Sequence, residues 1–263
     1  VSLPEVPLLG VLPGTGGLPR LTDKRKVRHD LADVFCTNPD GVRGLRAKEW
    51  RLVDEVVSRN NFDDQVRVRA KELAADSSRP EQATGIELMP LHRQIDDIGY
   101  HYQYVDVVLD EAAGVATMTI SAPDMVLPEA LEDIHAAGAG WWPLARAREL
   151  DDAILMLRTN NEEIGTFVLK THGQIDAVLK ADSLLVKYQD DWFVREVVGM
   201  IRRTLARLDV SSRSLFALVE EGSCFAGTLY ELALAADRIY MLDIAEEDGN
   251  PPHIALSTMN FGS

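Results

Sequence analysis

The chain has 263 residues, of which 46% are hydrophobic and 26% charged, and its formal net charge is −15 at pH 7. Its apolar content is enough for one large globular core or two small ones, while the acidic balance argues against nucleic acid, whose binding relies on clustered Lys and Arg neutralising phosphates. No run approaches the ~18 apolar residues of a membrane span, and residues 1–20 lack the basic start of a signal peptide, which makes the cytoplasm the expected compartment. Cys36 and Cys224 are far apart and in unlike contexts, giving neither a disulfide framework nor a metal-ligand spacing.

Residues 1–21 read as a short strand and an apolar turn, and Thr22 or Asp23 as the N-cap of a helix reaching about Phe35. The chain opens without Met, already inside that strand-like run, and so reads as a piece of something longer. Cys36-Thr37-Asn38-Pro39-Asp40-Gly41 ends the helix, Ala47 to Trp50 adds one helical turn, and Leu52 to Val57 reads as a strand. Asn60 caps a charged amphipathic helix over 62–75. The polar run Asp76 to Gln82 and the period-free residues 83–98 mark a boundary. Residues 1–76 are therefore expected to form one module, 77–103 a linker and 104–263 a second module. In the second, Val105 to Leu109 and Val115 to Ile120 flank a turn at Glu111 to Gly114 as a hairpin. A helix follows over about 143–158, then a buried strand at Thr166 to Lys170, a long amphipathic helix from Asp191 to Leu208 and a strand at Ser214 to Val219. Glu231 to Ala236 reads as helix and Arg238 to Leu242 as strand, an alternation that implies an α/β fold with largely parallel sheets.

The most specific motif is Pro4-Glu5, an apolar stretch, then Pro13-Gly14-Thr15-Gly16-Gly17. A carboxylate placed this way before a glycine turn resembles the crotonase (enoyl-CoA hydratase/isomerase) superfamily. Ala47 and Leu52-Val53-Asp54-Glu55-Val56-Val57 resemble that family's next landmark, although Arg51 stands where a glycine is usual. The second series resembles the beginning of the same fold, through Gly222-Ser223-Cys224-Phe225-Ala226-Gly227 to the helix around Glu231. Ile254 to Gly262 echoes Val1 to Gly10 apart from a one-residue gap, which puts Thr258 where the first copy has Glu5. The resemblance thus implies a crotonase-like spiral of ββα units in two incomplete tandem modules. The first is the back half of a catalytic module. The second is the front half of a divergent one, since threonine cannot act as a carboxylate base near neutral pH.

For the chemistry, the resemblance implies that Glu5 is a catalytic acid–base group and that Leu12, Pro13, Gly14, Thr15 and Gly16 line an acyl-CoA pocket. The partner carboxylate is expected upstream of residue 1, in a segment corresponding to Tyr230-Glu231-Leu232. A double-length family member with one active and one divergent half implies a carbon–carbon lyase acting on a CoA thioester. Hydratase or isomerase chemistry on another acyl-CoA is the alternative, and a structural or dimerising segment is a third reading. No metal or other cofactor is implied, CoA being part of the substrate. The implied partners are the acyl-CoA and, in the full-length protein, a second copy, with no nucleic acid and no membrane.

Other residues have plainer readings. Gly14, Gly16 and Gly17 serve a tight turn opening a helix as readily as ligand contact. Glu231 reads as a carboxylate favoured by a helix N-terminus, Cys224 as a small buried residue, His172 as a loop histidine, and Trp141 and Trp142 as core or interface. Lys24, Arg25, Lys26 and Arg28, with Arg43, Arg46, Lys48 and Arg51, read as a solvated helix face, an anion site being the alternative. In the family a glycine-rich loop near 226 supplies an oxyanion-hole N–H, and Ala226-Gly227-Thr228 departs from its Gly-Gly-Gly.

Overall fold

A computed structural model of the chain describes residues 1–11, 16–77, 84–245, 247 and 249–262. It divides into two compact units, Val1–Ala83 and Thr84–Ser263.

The first unit is helical. It comprises α1 (Glu5–Leu9), a turn at Gly17–Pro19 running into a wide π-type turn at Arg20–Lys24, α2 (His29–Thr37), α3 (Gly44–Glu49) and α4 (Phe62–Ala75). Its small core gathers Leu21, Val27, Ala32, Phe35, Cys36, Val42 and Ala47. Three expectations are corrected here. The strand expected at the start is instead α1, because Pro4 takes a helical conformation as its N-cap and Pro7 has no N–H to give a ladder. The helix expected from Thr22 or Asp23 to Phe35 is broken before α2. Thr22 turns its hydroxyl back to Pro19 O (3.4 Å) rather than forward as a cap, Lys26 takes a left-handed φ of +54°, and Val27 turns into the core. Leu52 to Val57 is not a strand: Arg51 at φ +61° turns the chain, and its first residues fold back so that the N–H groups of Leu52 and Val53 bond Ala47 O. The helix expected over 62–75 is α4, with the same bounds, but Asn60 does not cap it: Asn60 lies inside a 3-10 turn, Arg59–Asn61, and the N-cap position is Asn61, whose side chain makes no cap bond.

The second unit is built on one mixed sheet in the order β1-β2-β3-β4-β5-β6-β7. Its strands are β1 (Gln94–Asp96), β2 (Gly99–His101), β3 (Val105–Asp110), β4 (Val115–Ser121), β5 (Thr166–His172), β6 (Ser214–Val219) and β7 (Arg238–Met241). The first four pair antiparallel, because each is joined to the next by a few residues. From β4 onward every pairing is parallel and every connection carries helix. The sheet is therefore less parallel than the alternation implies. Burial alternates strictly along β4, where Ala116, Met118 and Ile120 are fully enclosed. The crossovers hold α5 (Leu131–Ala137) and α6 (Trp142–Asn160) before β5, α7 (Ile175–Lys187) and α8 (Trp192–Asp209) before β6, and α9 (Gly227–Leu234) before β7. Residues 94–101, expected to be linker, form β1 and β2 and belong to this unit.

The N-terminus of α8 is closed by Asp191, which accepts from Phe193 N at 2.9 Å, Val194 N at 3.1 Å and His135 Nε2 at 2.9 Å. Asp191→Ala is expected to lower stability by about 1 kcal/mol, the usual worth of such a cap. A urea-unfolding midpoint equal to that of the wild type would contradict this.

Candidate active site

Glu5 is the first residue of α1, half-buried, with Gly10 closing the helix by an N–H bond to Val6 O at 3.1 Å. Its charge reaches Cys36 of α2. Burial is the main effect pushing that thiol up, and the carboxylates of Asp33 and Glu5 push the same way. Of the expected acyl-CoA pocket, Leu12, Pro13, Gly14 and Thr15 lie outside the described residues. Gly16 has φ +90°, and a Cβ there would come within 3.3 Å of Arg20 Nη1, so this position needs glycine for its backbone and sits beside a guanidinium. In the basic cluster, Arg25 holds Asp54 with two contacts of 3.1 and 3.2 Å and donates to Arg51 O. Arg28 pairs with Asp30 at 2.6 Å, and Arg46 stacks 4.6 Å from the Trp50 ring centroid. These three guanidiniums are engaged within their own unit, in keeping with a solvated face.

In the second unit, Thr258 opens a 3-10 turn, Thr258–Phe261, as Glu5 opens α1. Ser257 and Asn260 cap that turn reciprocally: Ser257 Oγ accepts from Met259 N at 3.2 Å, and Asn260 Oδ1 accepts from Ser257 N at 3.0 Å. Asn260 Nδ2 then donates to Gly227 O at 2.9 Å and to Glu231 Oε1 at 2.6 Å. The helix-terminus reading of Glu231 is corrected accordingly. It lies beyond the first turn of α9 and is held by the Asn260 amide.

Behind this turn is a buried polar cluster. Asp182 of α7 accepts from Thr228 N (2.8 Å), Thr228 Oγ1 (2.8 Å) and Ser257 Oγ (2.6 Å). Arg146 of α6 donates from Nη2 to Thr228 Oγ1 at 2.8 Å and stands 4.7 Å from the Trp142 ring centroid. Burial pulls the Arg146 guanidinium down to about 10, with the Asp182 charge acting against it. Burial likewise pushes the Asp182 carboxyl up, opposed by the Ser257 and Thr228 hydrogen bonds. A cleft of about 530 Å³ lies alongside, bordered by Arg202 and Asp209 of α8, Thr228 and Glu231 of α9, and Met259 and Asn260. None of Asp182, Arg146, Ser257 and Asn260 is evident as a site from the sequence. Only Ser257-Thr258-Met259-Asn260, a capping-box variant, carries a local signal.

Cys224 is buried and its thiol is pushed up by that burial. Trp141 and Trp142 are core residues, Trp142 donating from Nε1 to Ser121 O at 3.1 Å. His172 is the last residue of β5 rather than a loop residue, and it is exposed. Among the described residues, no group of three His, Cys, Asp or Glu side chains is arranged to hold a metal ion, and no helix is long and apolar enough to cross a membrane.

Over all 263 of its residues the chain is 57% identical to the curated benzoyl-CoA-dihydrodiol lyase of Aromatoleum evansii. Along its whole length the chain is similar to benzoyl-CoA-dihydrodiol lyase. It spans about half of that relative, 47% of its length. No family model matches the chain. Solved structures similar to part of it include an enoyl-CoA hydratase of Geobacillus kaustophilus, at 18% identity and a TM-score of 0.38, covering 62% of this chain and 52% of that one. Another is the enoyl-CoA hydratase of Bacillus anthracis, also at 18% identity and a TM-score of 0.38, covering 61% of this chain and 53% of that one.

Proposed function

We propose that this chain is a segment of a two-module benzoyl-CoA-dihydrodiol lyase. The enzyme would open the ring of 2,3-dihydro-2,3-dihydroxybenzoyl-CoA with water, giving formate and the semialdehyde of 3,4-dehydroadipyl-CoA. Balancing carbon, hydrogen and oxygen over one water puts the open-chain product at the aldehyde level. The observation that carries this reading is the 57% identity to the lyase along the entire chain. Cleaving a carbon–carbon bond next to a hydroxyl needs a base for the hydroxyl proton and an acid that returns a proton to carbon. It also needs donors for the negative charge that collects on the thioester oxygen. Glu5, half-buried at the start of α1, is the proposed proton carrier in this segment. Leu12, Pro13, Gly14, Thr15 and Gly16 are the proposed acyl-CoA contacts.

On the same reading the second unit is a scaffold. Its residue at the Glu5 position is Thr258, and Glu231 is tied up by Asn260. A cytoplasmic homodimer without a resident metal or cofactor completes the proposal; the two unpaired buried cysteines suit a reducing compartment. The test is direct. Full-length protein supplied with the dihydrodiol thioester is expected to release formate and an aldehyde-bearing acyl-CoA, whereas the 263-residue chain alone is expected to release none. Hydration of a simple enoyl-CoA by the full-length protein, with no formate from the dihydrodiol, would favour the hydratase alternative instead.

A further inference from the structure

Asp182 takes no part in the proposed reaction, yet it is only 1% exposed and carries three hydrogen bonds. Its hydrogen-bond partners point to its state. Ser257 Oγ accepts from Met259 N and Thr228 Oγ1 accepts from Arg146 Nη2, and each hydroxyl proton goes to Asp182, at 2.6 and 2.8 Å. Thr228 N is the third donor. Three donors on one carboxyl group favour its ionised form, against the burial that pushes the group up. Its countercharge is Arg146, also 1% exposed, bonded to the same threonine, with a buried Nε that has no partner among the described residues.

We propose that the N-terminus of α9, with Ser257 and Arg146, is a carboxylate-binding site that the chain fills with its own Asp182. Once that side chain is removed, a free small monocarboxylate such as formate or acetate takes its place. Three features shape the site for a carboxylate. The α9 N-terminus and Arg146 supply positive potential, the hydroxyls converge on both oxygens, and Gly227 leaves room for them: a Cβ there would lie 1.8 Å from Asp182 Oδ2. The occupied site is also a closed one. Gly227 N bonds Ala255 O, Thr228 N bonds Asp182, and Leu229 N and Tyr230 N bond Ala226 O, so α9 offers no N–H to an outside acyl oxygen. The proposal stands independently of the lyase reading.

The experiment is hydrogen–deuterium exchange on the peptide over 225–234 in the full-length protein carrying Asp182→Gly. Sodium formate, acetate and chloride are compared at equal ionic strength. Exchange there is expected to speed up by roughly 10–100-fold, the equivalent of one hydrogen bond to a charged group. About 0.1 M formate or acetate should recover most of the protection saturably, while chloride does not and the wild type responds to none of them. Equal responses to formate and chloride, or no response to either, overturn the proposal. Should Asp182→Gly fail to fold, carboxyl-carbon NMR of Asp182 in the wild type decides the matter. An ionised carboxylate near neutral pH is expected, and a protonated one overturns the site.

Discussion

Gly227→Ala is expected to destabilise the second unit by about 3–5 kcal/mol, since it combines a left-handed backbone with severe overpacking. Gly227 has φ +46°, and its added Cβ would lie 1.8 Å from Asp182 Oδ2 and 2.9 Å from both Asp182 Cγ and Ser257 Oγ. None of these atoms is the loose end of a flexible chain. The Asp182 carboxylate is fixed by two bonds from Thr228 and one from Ser257, and Ser257 is itself fixed by the Asn260 cap. Moving Asp182 aside would also weaken its compensation of the buried Arg146 charge, which adds to the cost. Urea unfolding followed by near-UV circular dichroism reads the loss. Gly140→Ala is the matched control: nothing lies within 4 Å of its added Cβ, and an unchanged midpoint is expected. A wild-type midpoint for Gly227→Ala would mean that the cluster yields easily and that its distances do not reflect a rigid site.

The parts of this fold legible in the sequence are those whose cause is local. The strands from β3 to β6 announce themselves because alternate residues such as Ala116, Met118 and Ile120 face one core, and α4 because its charged, helix-favouring residues are contiguous. β1 and β2 are three residues each. Gln94, Ile95 and Asp96 are all exposed, and β1 exists through pairing with β2, as β2 does through pairing with β3, rather than through any pattern of their own. Short apolar runs misled where proline or a missing partner strand decided the outcome, as at Glu5–Leu9 and Leu52 to Val57. Glu5 stands out as a candidate because the residues of its motif surround it in sequence. Asp182 is not, because it meets Thr228 across 46 positions and Ser257 across 75, while Arg146 meets Thr228 across 82. Within α7, a lone aspartate on an otherwise apolar stripe reads as an error of amphipathicity. Only the folded chain supplies the donors that explain it.

Glu5→Gln in the full-length protein is expected to lower kcat/KM for ring opening at least a hundredfold, within the roughly 10²–10⁴-fold range of general acid–base catalysis. The amide keeps the size and the hydrogen-bonding reach of the carboxyl group but neither takes nor returns a proton. The effect should fall on rate rather than on folding. Glu5 is half-buried in the first turn of a five-residue helix, where its charge contributes only about 0.3–1 kcal/mol through the helix dipole. Acyl-CoA affinity and the unfolding midpoint are therefore expected to stay close to wild type while formate release collapses. Turnover within a few-fold of wild type would remove Glu5 from the mechanism. Equal losses in affinity and in kcat/KM, with kcat unchanged, would make it a binding group rather than a proton carrier. Thr258→Glu supplies the complementary comparison. If the second unit is a scaffold whose α9 N-terminus is already occupied by Asp182, restoring a carboxylate at the Thr258 position adds no second activity.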